Sequence, residues 1–179
     1  MKTTLALVAF TLLVPVAASA QGARLNLSFL DRLGERATEK QEITIDRSML
    51  STAGSALVGD GPNSAVVKQL LSELEGVYVR SYEFDDQKAF SMDDILAIRK
   101  QLAAPGWSRI VANEEKDKGG NWELQEIWLF NPGGKVGGIF IINAEPGELQ
   151  VVNIIGPIDL LKLRGLGGVL GIPRNIGIN

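Results

Sequence analysis

The chain contains 179 residues, of which 18 are Lys or Arg and 21 are Asp or Glu, and it has neither cysteine nor histidine. The absence of histidine excludes Ser-His-Asp and Cys-His catalysis and metal sites that need imidazole ligands. The absence of cysteine excludes thiolate nucleophiles, cysteine-bound metals and disulfides. A net charge of −3 without a basic cluster argues against nucleic acid or an anionic membrane as the main partner.

The first twenty residues have the pattern of a cleaved signal peptide. Lys2 precedes an apolar run over residues 5–14, Pro15 interrupts it, and residues 18–20 read Ala-Ser-Ala, so cleavage is expected before Gln21. A membrane anchor is the alternative, but a spanning helix needs about 20 apolar residues. We therefore expect an exported protein, periplasmic or secreted, with no stable membrane span after cleavage. The mature chain then has 159 residues and a net charge of −4, because the removed segment contains one lysine.

Residues 21–164 are expected to form a single domain, followed by a glycine-rich apolar tail over residues 165–179. Apolar residues at three- and four-residue steps predict an amphipathic helix over residues 24–39. Alternating polar and β-branched residues then predict a short strand over residues 42–46. The elements predicted next are helices over residues 49–57 and 62–74 and a strand over residues 77–84.

Ser91 and Asp94 form a capping-box pattern ahead of a further helix, which Pro105 and Gly106 end. The remaining sequence is rich in β-branched and aromatic residues, and its connections are short and rich in turn formers. It predicts strands over residues 107–112, 122–130, 136–143 and 149–155, followed by a short helix over residues 157–163.

The expected fold is α+β: an antiparallel sheet of about six strands, with a four-strand C-terminal meander, packed by about five helices. Both sheet faces are predicted to be apolar, so each is covered by helices, or one is covered by helices and the other by a partner. The inferred register puts Ile139, Ile141 and Val151 on the face of Trp128, and Phe140, Ile142 and Val152 on the opposite face.

Several segments together resemble a bacterial family known as domain of unknown function 4252. They are VYVRSYEF at residues 77–84, GWSRIV at 106–111, EIWL at 126–129, GKVGGIFII at 134–142, and AEP at 144–146 leading into LQVVNIIGPIDL at 149–160. With the helix expected over residues 27–37, the resemblance covers nearly all of the mature chain. It implies an exported bacterial envelope protein and carries no activity or catalytic residue with it. Relatives with a lipid anchor need a cysteine that this chain lacks.

Glu126 is the main candidate for acid–base chemistry, because it lies in the middle of a strand on an apolar face. Burial of a carboxyl group raises its pKa, as a general acid requires. The alternative is a buried polar network of Glu126 with Arg80 and Asn153 that fixes the sheet. A hydrolase acting on envelope glycans through Glu126 would also need a second carboxylate about 5–10 Å away.

Four aspartates, Asp85, Asp86, Asp93 and Asp94, could together hold a calcium ion, but their spacing lacks the EF-hand pattern. A solvated loop is the simpler interpretation, with Asp94 acting as a helix cap. The glycine-rich segments match neither a dinucleotide fingerprint nor a phosphate loop. We therefore expect no metal site and no cofactor.

The strongest candidates for binding are three aromatic residues and a glycine pair within a strand. Gly137 and Gly138 leave room for a bulge, a packed aromatic ring, or a groove for a ligand or peptide. We predict that the protein is a non-catalytic binding or structural module. Its candidate binding residues are Trp122, Trp128 and Phe140, together with the glycine pair. Its partner would be an envelope protein or a small apolar ligand. A hydrolase and a regulatory module of an envelope stress system are the alternatives.

Overall fold

Six antiparallel strands form one sheet in the computed structural model, which describes residues 22–57, 64–86, 89–116, 120 and 122–159. The predicted signal peptide, the tail over residues 165–179 and residues 160–163 of the predicted last helix lie outside these residues. Residues 157–159 have no regular structure. The strands are β1 (Glu39–Asp46), β2 (Gly76–Glu83), β3 (Trp107–Lys116), β4 (Trp122–Phe130), β5 (Gly138–Glu145) and β6 (Glu148–Ile155).

The strand order is β1-β2-β6-β5-β4-β3, so the last four strands form the predicted meander and β2 pairs with β6. The β5–β6 turn consists of Pro146 and Gly147, with Glu145 opposite Glu148. Gly147 has a φ of +82°, and a Cβ there would lie 2.9 Å from the carbonyl oxygen of Phe84. The sequence places glycine at this turn because only glycine fits both conditions.

The described residues contain four α-helices, not about five. They are α1 (Asp31–Gly34), α2 (Arg47–Leu57), α3 (Ser64–Glu73) and α4 (Met92–Leu102), and a 3-10 turn over Ser28–Leu30 precedes α1. The predicted helix over residues 24–39 is therefore wrong in extent. Its last residue, Glu39, already pairs with Glu83 in the sheet. The hydrogen bonds between β1 and β2 stabilise the extended chain at the end of this segment more than the helical spacing of a few leucines stabilises a helix.

Two apolar cores lie on opposite faces of the sheet. On the first, which we call the α2–α3 face, β-branched side chains from all six strands pack with Leu50 of α2, with Leu70 and Leu71 of α3, and with Leu74 directly after α3. On the second, the α4 face, the sheet packs against α4 and the N-terminal segment around Leu25–Leu33. The chain therefore covers the apolar part of both faces by itself.

The predicted faces are correct except for β5. Phe140 lies opposite Trp128, and Ile142 lies opposite Glu126, so these two residues face α4. Ile139 and Ile141 belong to the core of the α2–α3 face. The connection from Phe130 to Gly138 is too long for turn chemistry to fix the register, and a shift of one residue reverses every side chain of a strand.

Candidate functional site

Glu126 is completely buried in the middle of β4, where it accepts hydrogen bonds from three side chains. Arg99 of α4 donates from Nη2 at 2.8 Å and from Nε at 3.1 Å to Oε1. Arg109 of β3 donates from Nη1 to the same oxygen at 2.6 Å, and the indole N–H of Trp128 donates to Oε2 at 2.9 Å. We call Glu126, Arg99, Arg109 and Trp128 the Glu126 cluster.

Local features of α4 and β3 bring the two arginines to Glu126. The capping box of Ser91 and Asp94 fixes the start of α4. Ile95 and Ile98 are buried against the sheet, and Arg99 follows Ile95 by one helical turn, so it points to the same side. In β3, a bulge between residues 109 and 111 follows the pairing of Arg109 with Trp128, and the Arg109 guanidinium lies 5.5 Å from the indole centroid.

The Glu126 cluster holds its carboxylate in the charged form. Burial by itself raises the pKa of Glu126, but hydrogen bonds from Arg99, Trp128 and Arg109 outweigh burial, and the pKa is lowered below its ordinary value. Arg99 also lies 3.3 Å from Glu114, the second carboxylate near this position. A buried, ionised and doubly paired carboxylate is poorly suited to donate a proton as a general acid.

Arg80 and Asn153 do not join Glu126 in one network. Arg80 donates to the carbonyl oxygen of Leu27 at 2.7 Å and to Asp31 at 2.5 Å. Asn153 binds the N-terminal segment through the N–H of Leu25 and, at 3.0 Å, the carbonyl oxygen of Ala23. Both side chains therefore fasten the N-terminal segment to the sheet.

Three of the predicted binding residues have contacts within the chain that account for them. Phe140 is fully buried, and Trp128 is half-buried as a donor to Glu126. A Cβ at Gly138 would lie 2.8 Å from the Cβ of Ala23, so its missing side chain admits the N-terminal segment. A Cβ at Gly137 would lie in ordinary contact with Phe130, at 3.7 Å.

Trp122 differs from the other aromatic candidates because 41% of it is exposed. It forms one side of a cavity of about 340 Å³ at the end of the sheet where β4 begins. We call this cavity the Trp122 groove; its other apolar walls are Phe90, Met92, Ile95, Leu124, Ala144 and Pro146. The ammonium group of Lys116 lies 5.1 Å from the Trp122 ring centroid. The ring therefore already contacts one cation of its own chain.

The same end of the sheet carries a row of glutamates on the α2–α3 face. Strand register places Glu39 opposite Glu83, Glu83 opposite Glu148, and Glu148 opposite Glu145. Glu115 pairs with Glu123, which is one position beyond the Leu124–Ala144 pair and so continues the line from Glu145. We call Glu39, Glu83, Glu148, Glu145, Glu123 and Glu115 the glutamate row.

The glutamate row is not neutralised by the described part of the chain, where none of its six members has a cation within 4.0 Å. Burial, together with the charges of Glu145 and Glu83, raises the pKa of Glu148. An uncharged polar row separates the glutamates from the core; it contains Gln41, Ser81, Gln150, Asn143, Gln125 and Asn113.

The aspartates considered for calcium do not form a site. Asp94 is buried, accepts a hydrogen bond from the N–H of Ser91 and pairs with Arg32. Within the described residues, no group of three or more potential metal ligands comes together. Asp94 therefore acts as the predicted helix cap.

Sequence reasoning missed Arg99 and Arg109 as the partners of Glu126. The spacing from Ile95 to Arg99 on one helical face was a usable signal, because the predicted helix had to turn that face to the sheet. The glutamate row carried no comparable signal, since it becomes visible only when all five strand pairings are known.

Comparison with protein families found that residues 35–166 match the family model described as Domain of unknown function (DUF4252). The match includes β1, α2 and α3, which precede the strand segments that first suggested the family. A search among curated proteins found no match. In the part of the chain that the structure describes, no helix has the length and apolar character needed to span a membrane.

Proposed function

This chain belongs to the DUF4252 family, and from that premise we propose that it is an exported, non-catalytic binding module that recognises a protein segment with apolar and basic side chains. The observation that carries the proposal is the Trp122 groove. It is an open, mainly apolar cavity at the end of a sheet whose apolar cores are packed by helices and the N-terminal segment of the same chain. Export is supported by the signal-peptide pattern that ends at Ala20.

The size and walls of the Trp122 groove suit apolar side chains of a partner. A cavity of about 340 Å³ is near the lower end of the range of about 300–1,000 Å³ for ligand pockets. Met92 adapts its shape to different neighbours, and an exposed tryptophan is the residue type most enriched at binding hot spots. An apolar anchor in the groove would therefore supply most of the affinity.

The glutamate row supplies the reason to expect basic residues in the same partner. Glu145 both lines the Trp122 groove and belongs to the row, so the two features meet at this end of the sheet, the groove on the α4 face and the row on the α2–α3 face. An unneutralised row of carboxylates attracts cations and repels acidic segments, which gives specificity and faster association.

The alternative of a hydrolase acting through Glu126 has less support. Glu114 is near enough to share Arg99 with Glu126, but Glu126 has no exposed surface and a lowered pKa. A glycosidase needs a proton donor with a raised pKa beside a substrate cleft. The Glu126 cluster better explains how α4 and β3 are fixed to the sheet.

Short synthetic peptides test the proposal with the mature chain, residues 21–179. We expect a labelled peptide of alternating lysine and leucine to bind in fluorescence anisotropy, and glutamate–leucine and lysine–serine peptides to bind much more weakly. Trp122→Ala should weaken binding about tenfold, since truncating a central interface tryptophan commonly costs more than 1 kcal/mol. Ile110→Ala is the matched control, because Ile110 is also exposed but lies outside the groove.

A charge-matched pair of variants separates the glutamate row from the general acidity of the protein. The double variant Glu145→Gln/Glu148→Gln should bind the lysine–leucine peptide more weakly, and its binding should depend less on salt concentration. Glu35→Gln with Glu73→Gln makes the same change in net charge away from the row and should leave affinity nearly unchanged. Equal effects of the two double variants, or equal binding of the glutamate–leucine peptide, would contradict the proposal.

A further inference from the structure

A second cavity, of about 660 Å³, lies on the other side of the molecule between the N-terminal segment and the start of the sheet. We call it the N-terminal cavity; its polar walls are Arg24, Asn26, Ser28, Glu42, Thr44, Glu75, Tyr78, Arg80 and Asn153. Leu25, Leu27 and Ile155 add apolar surface. Its volume lies within the range of about 300–1,000 Å³ for small-molecule sites.

The roof of the N-terminal cavity is an extended segment that side chains hold in place. Asn153 binds the N–H of Leu25 at 3.2 Å. Gln101 of α4 accepts from the N–H of Asn26 at 2.9 Å and donates to its carbonyl oxygen at 2.7 Å. Arg80 donates to the next carbonyl oxygen, that of Leu27. The roof is thus fixed at three successive residues, and the cavity is formed before any ligand arrives.

The charges on the cavity wall are paired except for one. Glu75 lies 3.6 Å from Arg47, Glu42 lies 3.3 Å from Lys40, and Arg80 pairs with Asp31. Of the charged residues that line the cavity, Arg24 alone has no oppositely charged group within 4.0 Å in the described part of the chain. The cavity therefore offers one uncompensated positive charge.

The position of the Arg24 guanidinium suits a carboxylate. The guanidinium lies over the ring of Tyr78, 4.4 Å from its centroid. Stacking of this kind uses the face of the guanidinium and leaves its in-plane N–H groups free for bidentate binding. The hydroxyl groups of Ser28 and Thr44 also line the cavity and can donate to the same anion.

We propose that the N-terminal cavity binds a small organic monoanion, whose carboxylate pairs with Arg24 and whose apolar body packs against Leu25, Leu27 and Ile155. A phosphate monoester fits less well, because it carries close to two negative charges and meets only one unpaired cation. Glu42 and Glu75 on the wall would repel the second charge. This site is separate from the Trp122 groove and goes beyond the function proposed above.

Benzoate, cyclohexanecarboxylate and octanoate, each beside its neutral amide, test the proposal with the mature chain. We expect saturation-transfer NMR and thermal-shift titration to detect at least one of the carboxylates, bound at least about tenfold more tightly than its amide. Phenyl phosphate should bind more weakly than benzoate. Binding of no carboxylate, or tighter binding of phenyl phosphate, would overturn the proposal.

Variants assign the binding to the cavity. Arg24→Gln removes the unpaired charge from an exposed position and should weaken carboxylate binding by about tenfold or more. Lys135→Gln removes one positive charge outside the cavity, and Trp122→Ala alters the other candidate site; both should leave carboxylate binding unchanged. Unchanged affinity in Arg24→Gln, or equal binding of an acid and its amide, would show only a non-specific apolar void.

Discussion

Replacement of Glu126 by glutamine tests whether its cluster stabilises the fold. Glutamine has nearly the same shape, so the change removes the charge and leaves the packing. Hydrogen bonds to a charged group each contribute about 1.5–3 kcal/mol, but contributions within one cluster do not add. Arg109 is 42% exposed and regains water, and Arg99 retains Glu114 as a partner. We therefore expect a loss of about 3 kcal/mol, at the low end of the range for breaking a buried ion pair.

The loss should appear as a lower urea midpoint and as a fall in Tm of about 6–12 °C, given the size of the domain. It should also depend on pH. The pKa of Glu126 is lowered in the folded protein from an ordinary value of 4.5, so its charge stabilises the fold above that pH. The stabilisation is lost as the pH falls through the folded-state pKa. The difference between the parent chain and Glu126→Gln should shrink in that acid range.

Arg109→Gln provides a graded comparison within the Glu126 cluster. Its side chain is partly solvated, so its removal should cost about 1 kcal/mol or less. Equal stability of the parent chain and Glu126→Gln at neutral pH would refute the assigned role of Glu126. A stability difference that persists unchanged in acid would refute the electrostatic explanation.

Three further predictions concern the glutamate row, the N-terminal segment and export. Glu148→Gln should stabilise the domain by about 0.5 kcal/mol at neutral pH, because it relieves like-charge pairs. Since the folded-state pKa of Glu148 is raised, urea titrations should show this gain disappear as the pH falls through that pKa and then the ordinary value of 4.5. Gly138→Ala should cost about 1–2 kcal/mol in urea unfolding, and the added change Ala23→Gly should recover part of it. Mass spectrometry of the exported protein should show Gln21 as its first residue, as glutamine or as pyroglutamate; an intact residue 1 would refute cleavage.

The strands were the most predictable part of the fold. Runs of β-branched residues between glycine-containing turns located β2 and the meander to within a few residues, because β-branched side chains favour β-strands and glycine favours turns. Leucine spacing was a weaker guide. It predicted one helix over residues 24–39, but the chain there makes a short turn and α1 and then enters β1. Pairing with β2 is a long-range interaction that a local pattern does not contain.

The partners in the candidate sites depended on register and helix orientation. Sequence spacing identified Glu126 as a buried carboxylate but assigned it to Arg80, which binds Leu27 and Asp31. The choice among Arg80, Arg99 and Arg109 depends on how α4 crosses the sheet and on the bulge in β3. Neither feature follows from a single strand or helix considered alone.

The Glu126 cluster and the glutamate row show why buried and exposed charges lead to opposite functional conclusions. The charge of Glu126 is paired with Arg99 of α4 and Arg109 of β3, so its removal destabilises the fold. Within the described residues, no cation pairs with the glutamate row, so removal of the charge of Glu148 should stabilise the fold. A surface that lowers stability and also attracts cations matches the usual conflict between binding and stability. If Glu148→Gln is more stable than the parent chain and binds the lysine–leucine peptide more weakly, the row both lowers stability and contributes to binding. A gain in stability without a loss of affinity would leave the row without a binding role.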